Sequence, residues 1–561
     1  MMELRGENRF KTKAYLGAAK AVVALDTDDL GPLLRSGELQ QVRGVGPATL
    51  GVLRDLIETG ESAYYEQLKT ETPVGLLELM NVPGLGPDKI SQIHEGIGIS
   101  SLDELEEAAR DGRLAALKKF GPKTAEKILA GISFVRNMGT FELYPQGAAE
   151  ADRMLTSVLA HPDVMRAEIA GEVRRRMEIV PATYVVAACR ESPARVAGEL
   201  AQLPGAREVT GSGRSLGIRF VDGSKLRVHC TLPDEFAVGL FRCSGSDEHV
   251  AEMTARLGNF GITVGDDRLL NEDGNPVPTP EELDVYAAAG LPWIPPELRE
   301  GRGEIDAAAR NALPVLVELQ DLQGVLHCHS NYSDGTTSIA DMALAARERG
   351  WSYIGITDHS QNAFYAGGLS KEKVLRQHEE IDALNALSPH FRILKGIEAD
   401  ILPDGRVDYH DDILDLFDFV VGSVHSRFSM DESEMTTRVL RAMDDPRLTI
   451  LGHPTGRLLL NRKPYPIDIN AVIEKAAERG VALELNADPH RLDLDWRYII
   501  DAKRRGVTIE IGPDAHSPRG LDYVHVGIGI ARKGWLERGD ILNTRGVDDV
   551  LAFARRRLLS S

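Results

Sequence analysis

Between Gly324 and His516 the sequence repeats one pattern: a short apolar run, a histidine or acidic residue past its end, and a stretch long enough for a helix. The first run, Gly324-Val325-Leu326, leads into His327-Cys328-His329. Alternate residues of an extended chain share a face, so His327 and His329 point the same way and can grip one cation. Asp334 follows in a Ser-Asp-Gly turn; a helical segment over roughly Ile339 to Gly350 leads to a strand, Tyr353 to Thr357, that ends on Asp358-His359. Later runs are Phe391 to Leu394, continuing to Glu398, and Phe417 to Val424, ending at His425. Leu448 to Gly452 ends at His453, Val481 to Leu485 at Asn486, and Val507 to Ile511 leads to Asp514 and His516. Parallel strands joined by helices gather polar groups at their C-terminal ends, so seven such strands predict an α/β barrel with its chemistry at one rim.

The metal-ligand candidates are His327, His329, Asp334, His359, Glu398, His425, His453, Asp514 and His516. Any one of these histidines reads best as a hydrogen-bonded core or surface residue. As a set they do not, because chance does not place a ligand type after nearly every strand. Imidazoles mixed with carboxylates suit Zn, Mn or Fe rather than Ca or Mg.

Length and charge set the frame for the rest. A chain of 561 residues holds several domains, and a formal charge of −20 argues against a broad basic face for nucleic acid. If DNA is the partner, local devices must grip it. No apolar run is long enough to span a bilayer, and Met1 to Lys20 is charged and lacks the apolar core of a signal peptide, so a cytoplasmic, nucleoid-associated protein is expected. Cys189, Cys230, Cys243 and Cys328 show no paired spacing and read as reduced thiols.

Local devices appear in the N-terminal third. The sequence VRGVGP (residues 42–47) precedes a helical stretch ending near Gly60, VPGLGP (82–87) repeats the arrangement, and KKFGPK (118–123) is a weaker third copy. The repeat resembles the helix-hairpin-helix motif, whose glycines let the backbone approach a phosphate that faces the next helix's N-terminal amides. Gly44, Gly46, Gly84, Gly86, Gly121 and Lys123 are the candidate DNA contacts.

The C-terminal motifs also carry a resemblance. HCHSNYSDG (327–335), GITDHS (355–360), GIEADIL (396–402), VGSVHS (421–426), GHPTGR (452–457), ELNADPHRLDL (484–494) and PDAHS (513–517) resemble the successive motifs of the polymerase-and-histidinol-phosphatase (PHP) phosphoesterases. They most resemble the version fused to bacterial and archaeal family X DNA polymerases. That resemblance implies a trinuclear site, suited to phosphoester hydrolysis, in a distorted (β/α)7 barrel. His327, His329, Glu398 and Asp514 would hold one metal; Glu398 would bridge to a second, held by His425 and His453; Asp334, His359 and His516 would hold the third. Such ions activate water, orient the phosphate and neutralise the leaving oxygen. Arg457, just past His453, is a candidate phosphate contact, with a plain surface arginine as the alternative.

The middle third has the family X frame with its chemistry removed. Gly171-Glu172-Val173-Arg174-Arg175-Arg176 resembles the palm motif, with Glu172 where the family's triphosphate-binding serine belongs. Ala182 and Tyr184 stand where the paired aspartates belong, and His229 where the third does. The polymerase site is therefore expected to be degenerate, since two-metal nucleotidyl transfer needs those carboxylates. Arg174 to Arg176 read either as a solvated cluster or as a relic phosphate contact. Phe241 to Ile305 resembles the thumb, through Ser244-Gly245-Ser246 with His249 and Leu291-Pro292-Trp293.

The expected organisation is a multidomain chain: a lyase-like helical region (1–80), a fingers-like helical region (81–140), an α+β nucleotidyltransferase-like palm (141–235), a thumb (236–305), a linker (306–323) and the PHP barrel (324–561). The expected activity is metal-dependent 3′→5′ exonuclease action or 3′-end trimming in base-excision or strand-break repair. Three Mn or Zn ions, a monomeric chain, and gapped, nicked or 3′-blocked DNA complete the expectation. The alternatives are a gap-filling polymerase with substitute ligands Glu172, Glu178 or Asp222, and a non-catalytic DNA-end scaffold.

Overall fold

The computed structural model describes residues 1–23, 25, 29–42, 44–80, 82, 85–138 and 141–558. The chain divides into two compact units, residues 1–140 and 141–561. No helix among the described residues is long and apolar enough to cross a membrane.

The first unit is helical, and its helices begin in a repeated way. Pro47–Thr59, Pro87–Ile97 and Pro122–Met138 each start on a proline that follows a glycine. Proline suits a first helical position, where its missing N–H has no partner to lose and its φ is already helical. Val45, Leu85 and Phe120, each just before the glycine, are buried. Gly46 and Gly86 adopt nearly the same backbone, φ −93° ψ 172° and φ −93° ψ 170°. The apolar anchor thus faces the core while the Gly-Pro step turns the helix start outward.

In the second unit, a five-stranded mixed sheet runs in the order Val164–Ala170, Thr183–Cys189, Lys225–Thr231, Ser215–Phe220, Ala206–Ser212. Strand alternation gives it two faces. Val185, Ala187 and Cys189 pack with Val158, Val196, Ala197 and Leu200 on one side, while Ala170, Val186 and Ala188 pack against Phe236 and Leu240 of the helix Phe236–Ser244 on the other.

Glu282 ties this sheet to the helices that follow. Its carboxylate accepts paired hydrogen bonds from Arg174 (2.7 and 2.9 Å) and Arg299 (2.6 and 2.9 Å), and one from Trp293 Nε1 at 3.0 Å. Arg175 meets Glu300 at 2.9 Å and the Ser244 carbonyl at 2.9 Å. Arg174 and Arg175 are therefore engaged in holding the fold rather than forming a solvated cluster. Burial opposes the charge on Glu282, but Arg299 and Arg174 outweigh it and hold its pKa at about 2. Glu282→Gln, which leaves two guanidiniums without their counter-charge, should lower unfolding free energy by about 3 kcal/mol in a denaturant titration at neutral pH. Because the folded pKa lies below the ordinary value of 4.5, the contribution is complete above about pH 4.5 and is lost as pH falls toward about 2.

The remaining sheet is a barrel. Among the described residues its seven strands are Gly324–Val325, Tyr353–Ile356, Arg392–Asp400, Phe419–Ser423, Leu448–Leu451, Ala482–Asn486 and Ile509–Gly512, paired in chain order. All six pairings are parallel. The ends meet where Cys328 bridges Ala515, with His329 N donating to Ala515 O at 2.8 Å. Near-continuous burial along the strands matches a parallel sheet covered on both faces. The third strand runs two residues beyond Glu398, to Asp400, so Glu398 lies inside it rather than at its end.

Candidate metal centre and nucleic-acid interface

The barrel brings all nine predicted ligands to one rim. Glu398 stands at the middle: Oε1 is 3.0 Å from His453 Nε2, 3.2 Å from His425 Nε2 and 3.5 Å from His327 Nε2, and Oε2 is 2.8 Å from His359 Nδ1. Asp514 Oδ1 is 3.2 Å from His329 Nε2 and 3.6 Å from His327 Nε2. Asp334 Oδ1 is 3.4 Å from His516 Nε2, 3.6 Å from His359 Nε2 and 3.8 Å from His329 Nδ1. His329 thus faces both Asp514 and Asp334, so it belongs to two of the groupings. Two ligands sit on left-handed backbone, His453 at φ +25° and Asp514 at φ +51°, a strain typical of groups held for function.

The donor set fits divalent cations. His327 Nε2 and His329 Nδ1 are buried and have no hydrogen-bond partner among the described residues, and a lone pair on a buried imidazole is costly to strand unless an ion takes it up. Despite full burial, Glu398 is held well below the ordinary carboxylate range by His425, His359 and His327, and Asp514 by His327 and His329. Burial, with His516 and His359 close by, pushes His329 down to about 3. Burial also opposes charge on His359, yet Glu398 and Asp334 raise it to about 11. Three carboxylates packed this closely call for positive charge.

A second layer aims the ligands. His327 Nδ1 is 2.5 Å from Glu484, and His425 Nδ1 is 2.8 Å from Asp400, which leaves Nε2 of each turned toward Glu398. Asp358 accepts from Ser330 N at 2.8 Å and from Ser333 Oγ, and so pins the turn that carries Asp334. Sequence reasoning missed Asp400 and Glu484. Their signal was an acidic residue inside an apolar strand, two places past Glu398 in one case and between Leu483 and Leu485 in the other.

Arg457 is a correction. It is buried, its Nε donates to Arg491 O at 2.9 Å, its Nη1 to Asp495 at 2.5 Å and its Nη2 to Leu492 O. With its donors committed to the loop, it holds that loop in place instead of meeting a phosphate. The arginine that faces the centre is Arg491, with Nε 3.3 Å from Asp514 Oδ2.

In the first unit Gly44 is exposed at φ +101°, a conformation that favours glycine. Gly46, Gly86 and Gly121 sit at the three helix starts, and a Cβ added at any of them would meet nothing within 4 Å. Lys123 is exposed in the first turn of the third helix. Gly84 lies outside the described residues.

In the five-stranded sheet, Tyr184 pairs with Arg227 and Val186 with His229, so Tyr184 and His229 share a face. Both are occupied: Tyr184 Oη accepts from Cys243 Sγ at 3.1 Å, and His229 joins Ser215 Oγ (2.6 Å) to Asp267 (2.8 Å). Asp267 also meets Arg214 at 3.0 Å and Arg242 at 3.4 Å. Ala182 precedes the strand, and Glu172 lies 3.8 Å from Arg175. Glu178 binds Trp496 and Arg497 of the barrel at 3.0 and 2.7 Å, and Asp222 caps a turn by accepting from Ser224. Among the described residues, groups of three metal-capable side chains occur in the barrel and at His161, Asp163 and Glu199, not at this face.

Comparison with known proteins agrees with this division. Residues 326–488 match the PHP domain family, 76–133 the SAM-like helix-hairpin-helix tandem, and 239–300 the DNA polymerase beta thumb. Over 565 residues, covering 99% of this chain and 97% of the relative, the sequence is 37% identical to the DNA polymerase/3′-5′ exonuclease PolX of Bacillus subtilis (strain 168). The chain belongs to the PolX family. The barrel alone is also similar to smaller proteins. It is 33% identical over 168 residues to a protein named probable phosphatase from Syntrophotalea carbinolica, covering 29% of this chain and 64% of the relative. It is 32% identical over 207 residues to another so named from Caldanaerobacter subterraneus subsp. tengcongensis, covering 34% and 74%. Seven of the nine clustered residues, His327 to His453, fall within the PHP match, and the hairpin tandem and thumb imply DNA binding.

Proposed function

We propose that this protein removes nucleotides from DNA 3′ ends, and trims blocked 3′ ends, at the barrel centre, while its palm is catalytically silent. The observation that carries the reading is the convergence of six imidazoles and three carboxylates on one rim, with His327 Nε2 and His329 Nδ1 lacking a hydrogen-bond partner among the described residues. His327, His329, Glu398 and Asp514 would hold one ion, Glu398, His425 and His453 a second, and Asp334, His359 and His516 a third, with Mn or Zn as the metal. Divalent ions there supply Lewis-acid polarisation of the phosphoryl group and charge neutralisation at the leaving oxygen. The chain's own residues do the positioning. Glu484 and Asp400 fix the ring orientation of His327 and His425, Asp358 fixes the Asp334 turn, and Arg491 offers a fixed cation to a phosphate oxygen. The setting would be repair of gapped or nicked DNA by a monomeric cytoplasmic protein. A gapped duplex carrying a 3′-labelled primer, incubated with Mn2+, should release labelled mononucleotide, and excess chelator should stop the release. No cleavage with either Mn2+ or Zn2+ would overturn the reading.

The hairpins would hold the duplex. Gly46 and Gly86 open onto free space, so Gly46→Val with Gly86→Val should leave the helices folded while a side chain occupies the phosphate's approach. DNA affinity should fall about tenfold by fluorescence anisotropy, and log affinity against log salt in the unaltered protein should have a shallow slope, on the order of 3 to 5 phosphates. Unchanged affinity in the double variant would remove the hairpins from the account.

The full-length likeness to a protein named DNA polymerase favours a second reading, gap filling by the palm. Templated incorporation of dNTPs separates the two.

A further inference from the structure

Beside the metal centre the barrel displays two aromatic rings that its own packing does not use. Phe364 is 86% exposed, more than any other large apolar side chain among the described residues, and Tyr365 is 61% exposed. A single exposed apolar residue is ordinary. Here the rings are adjacent, 6.1 Å apart and nearly perpendicular, and the Tyr365 ring stands 6.4 Å from that of the ligand His359.

The backbone beneath them is pinned. The 3-10 turn Phe364–Ala366 follows buried Ala363 and ends on buried Ala366, and Gly368 packs so tightly that a Cβ would fall 2.0 Å from Ser360 O. Leu369 N donates to His359 O at 2.9 Å, Gln361 N to Tyr409 Oη at 3.1 Å, and Asn362 N to Asp408 at 2.8 Å. Asn362 Nδ2 also donates to Asp400 at 2.6 Å, the same carboxylate that orients His425. The turn is thus bonded into the framework of the centre, and the backbone that carries the rings is held in place beside it.

We infer that Phe364 and Tyr365 form a stacking platform for the unpaired terminal bases of the strand whose 3′ phosphodiester enters the centre. The inference rests on the nuclease reading above and assigns the side chains that would hold the end of the strand. Three observations favour a base as the occupant. The platform adjoins His359, one of the candidate metal ligands, with the Tyr365 ring 6.4 Å from the imidazole. Its faces are aromatic and carried on pinned backbone, and every base has a π-face to lay on them. The chain carries a formal charge of −20, so a strand gains little from long-range attraction and must be caught by contacts of this kind.

The test compares two substrates with Mn2+: an oligonucleotide duplex with a 3′ single-stranded tail, and bis(4-nitrophenyl) phosphate, which has no base. In the Phe364→Ala, Tyr365→Ala protein the ratio of kcat/KM for the tail to kcat/KM for the small ester should fall about tenfold, mainly through KM. Phe364→Trp with Tyr365→Ala should recover most of it. A tail ending in 2-aminopurine should be quenched on binding the unaltered protein and not the double alanine variant. An unchanged ratio with unchanged quenching would overturn the platform. If the unaltered protein cleaves neither substrate, the nuclease reading fails, and the quenching comparison alone still decides whether a base stacks there.

Discussion

Glu398→Ala should abolish 3′-end hydrolysis, by about 1000-fold or more in kcat, and should remove at least one bound ion. No other side chain touches so much of the centre: His453, His425, His359 and His327 all lie within 3.5 Å of its two oxygens. Truncation leaves four imidazoles without the charge that faces them and would separate ions that a shared carboxylate would hold together. Glu398→Gln keeps the shape and loses the charge, so it should fail to the same degree. DNA affinity should stay within about twofold, because the hairpins carry it. Metal analysis of the purified variant against the unaltered protein, alongside a labelled-strand digestion, reads both effects. Full nuclease activity in either variant would remove Glu398 from the chemistry.

The barrel was legible in the sequence because parallel strands buried on both faces appear as uninterrupted apolar runs, and the ligands follow them. What the sequence could not show is how distant residues pair. Glu484 lies 157 positions from His327, which it orients at 2.5 Å. Nothing local distinguishes its carboxylate from an edge-strand charge. The apolar run ends at Leu394, so the sequence carries the strand only as far as Glu398, whereas the backbone ladder continues through Gly396 to Asp400 beside Phe419 to Ser423. The arginine error has the same root. Arg457 follows His453 closely in the chain, but Asp495 and two loop carbonyls claim its donors, while Arg491 reaches Asp514. Adjacency in sequence favoured the wrong one of two arginines. The palm substitutions could be read directly, but the Asp267 network that absorbs His229 required the fold.

The palm should not polymerise. A nucleotidyl-transfer site holds two divalent ions about 4 Å apart, and carboxylates between them offset the repulsion. Ala182 has no donor atom, the Tyr184 hydroxyl meets Cys243, and His229 is bound between Ser215 and Asp267. Asp267, the carboxylate bonded to His229, is already surrounded by His229, Arg214 and Arg242. Glu172, which stands in the sequence where the family's triphosphate-binding serine belongs, would add negative charge on the side of an approaching triphosphate. Ala182→Asp, Tyr184→Asp and His229→Asp combined with Glu172→Ser should therefore be the minimum set able to restore incorporation, and no single change should suffice. Incorporation by any single variant would show that the register of the palm is wrong.

One gel tests where the chemistry resides. A 5′-labelled primer on a gapped template is incubated with all four dNTPs and Mn2+, once with the unaltered protein and once with Glu398→Ala. The account predicts that the unaltered protein shortens the primer and that the variant leaves it at its starting length. A primer that grows by templated nucleotides in the Glu398→Ala lane, or that still shortens there, would contradict it.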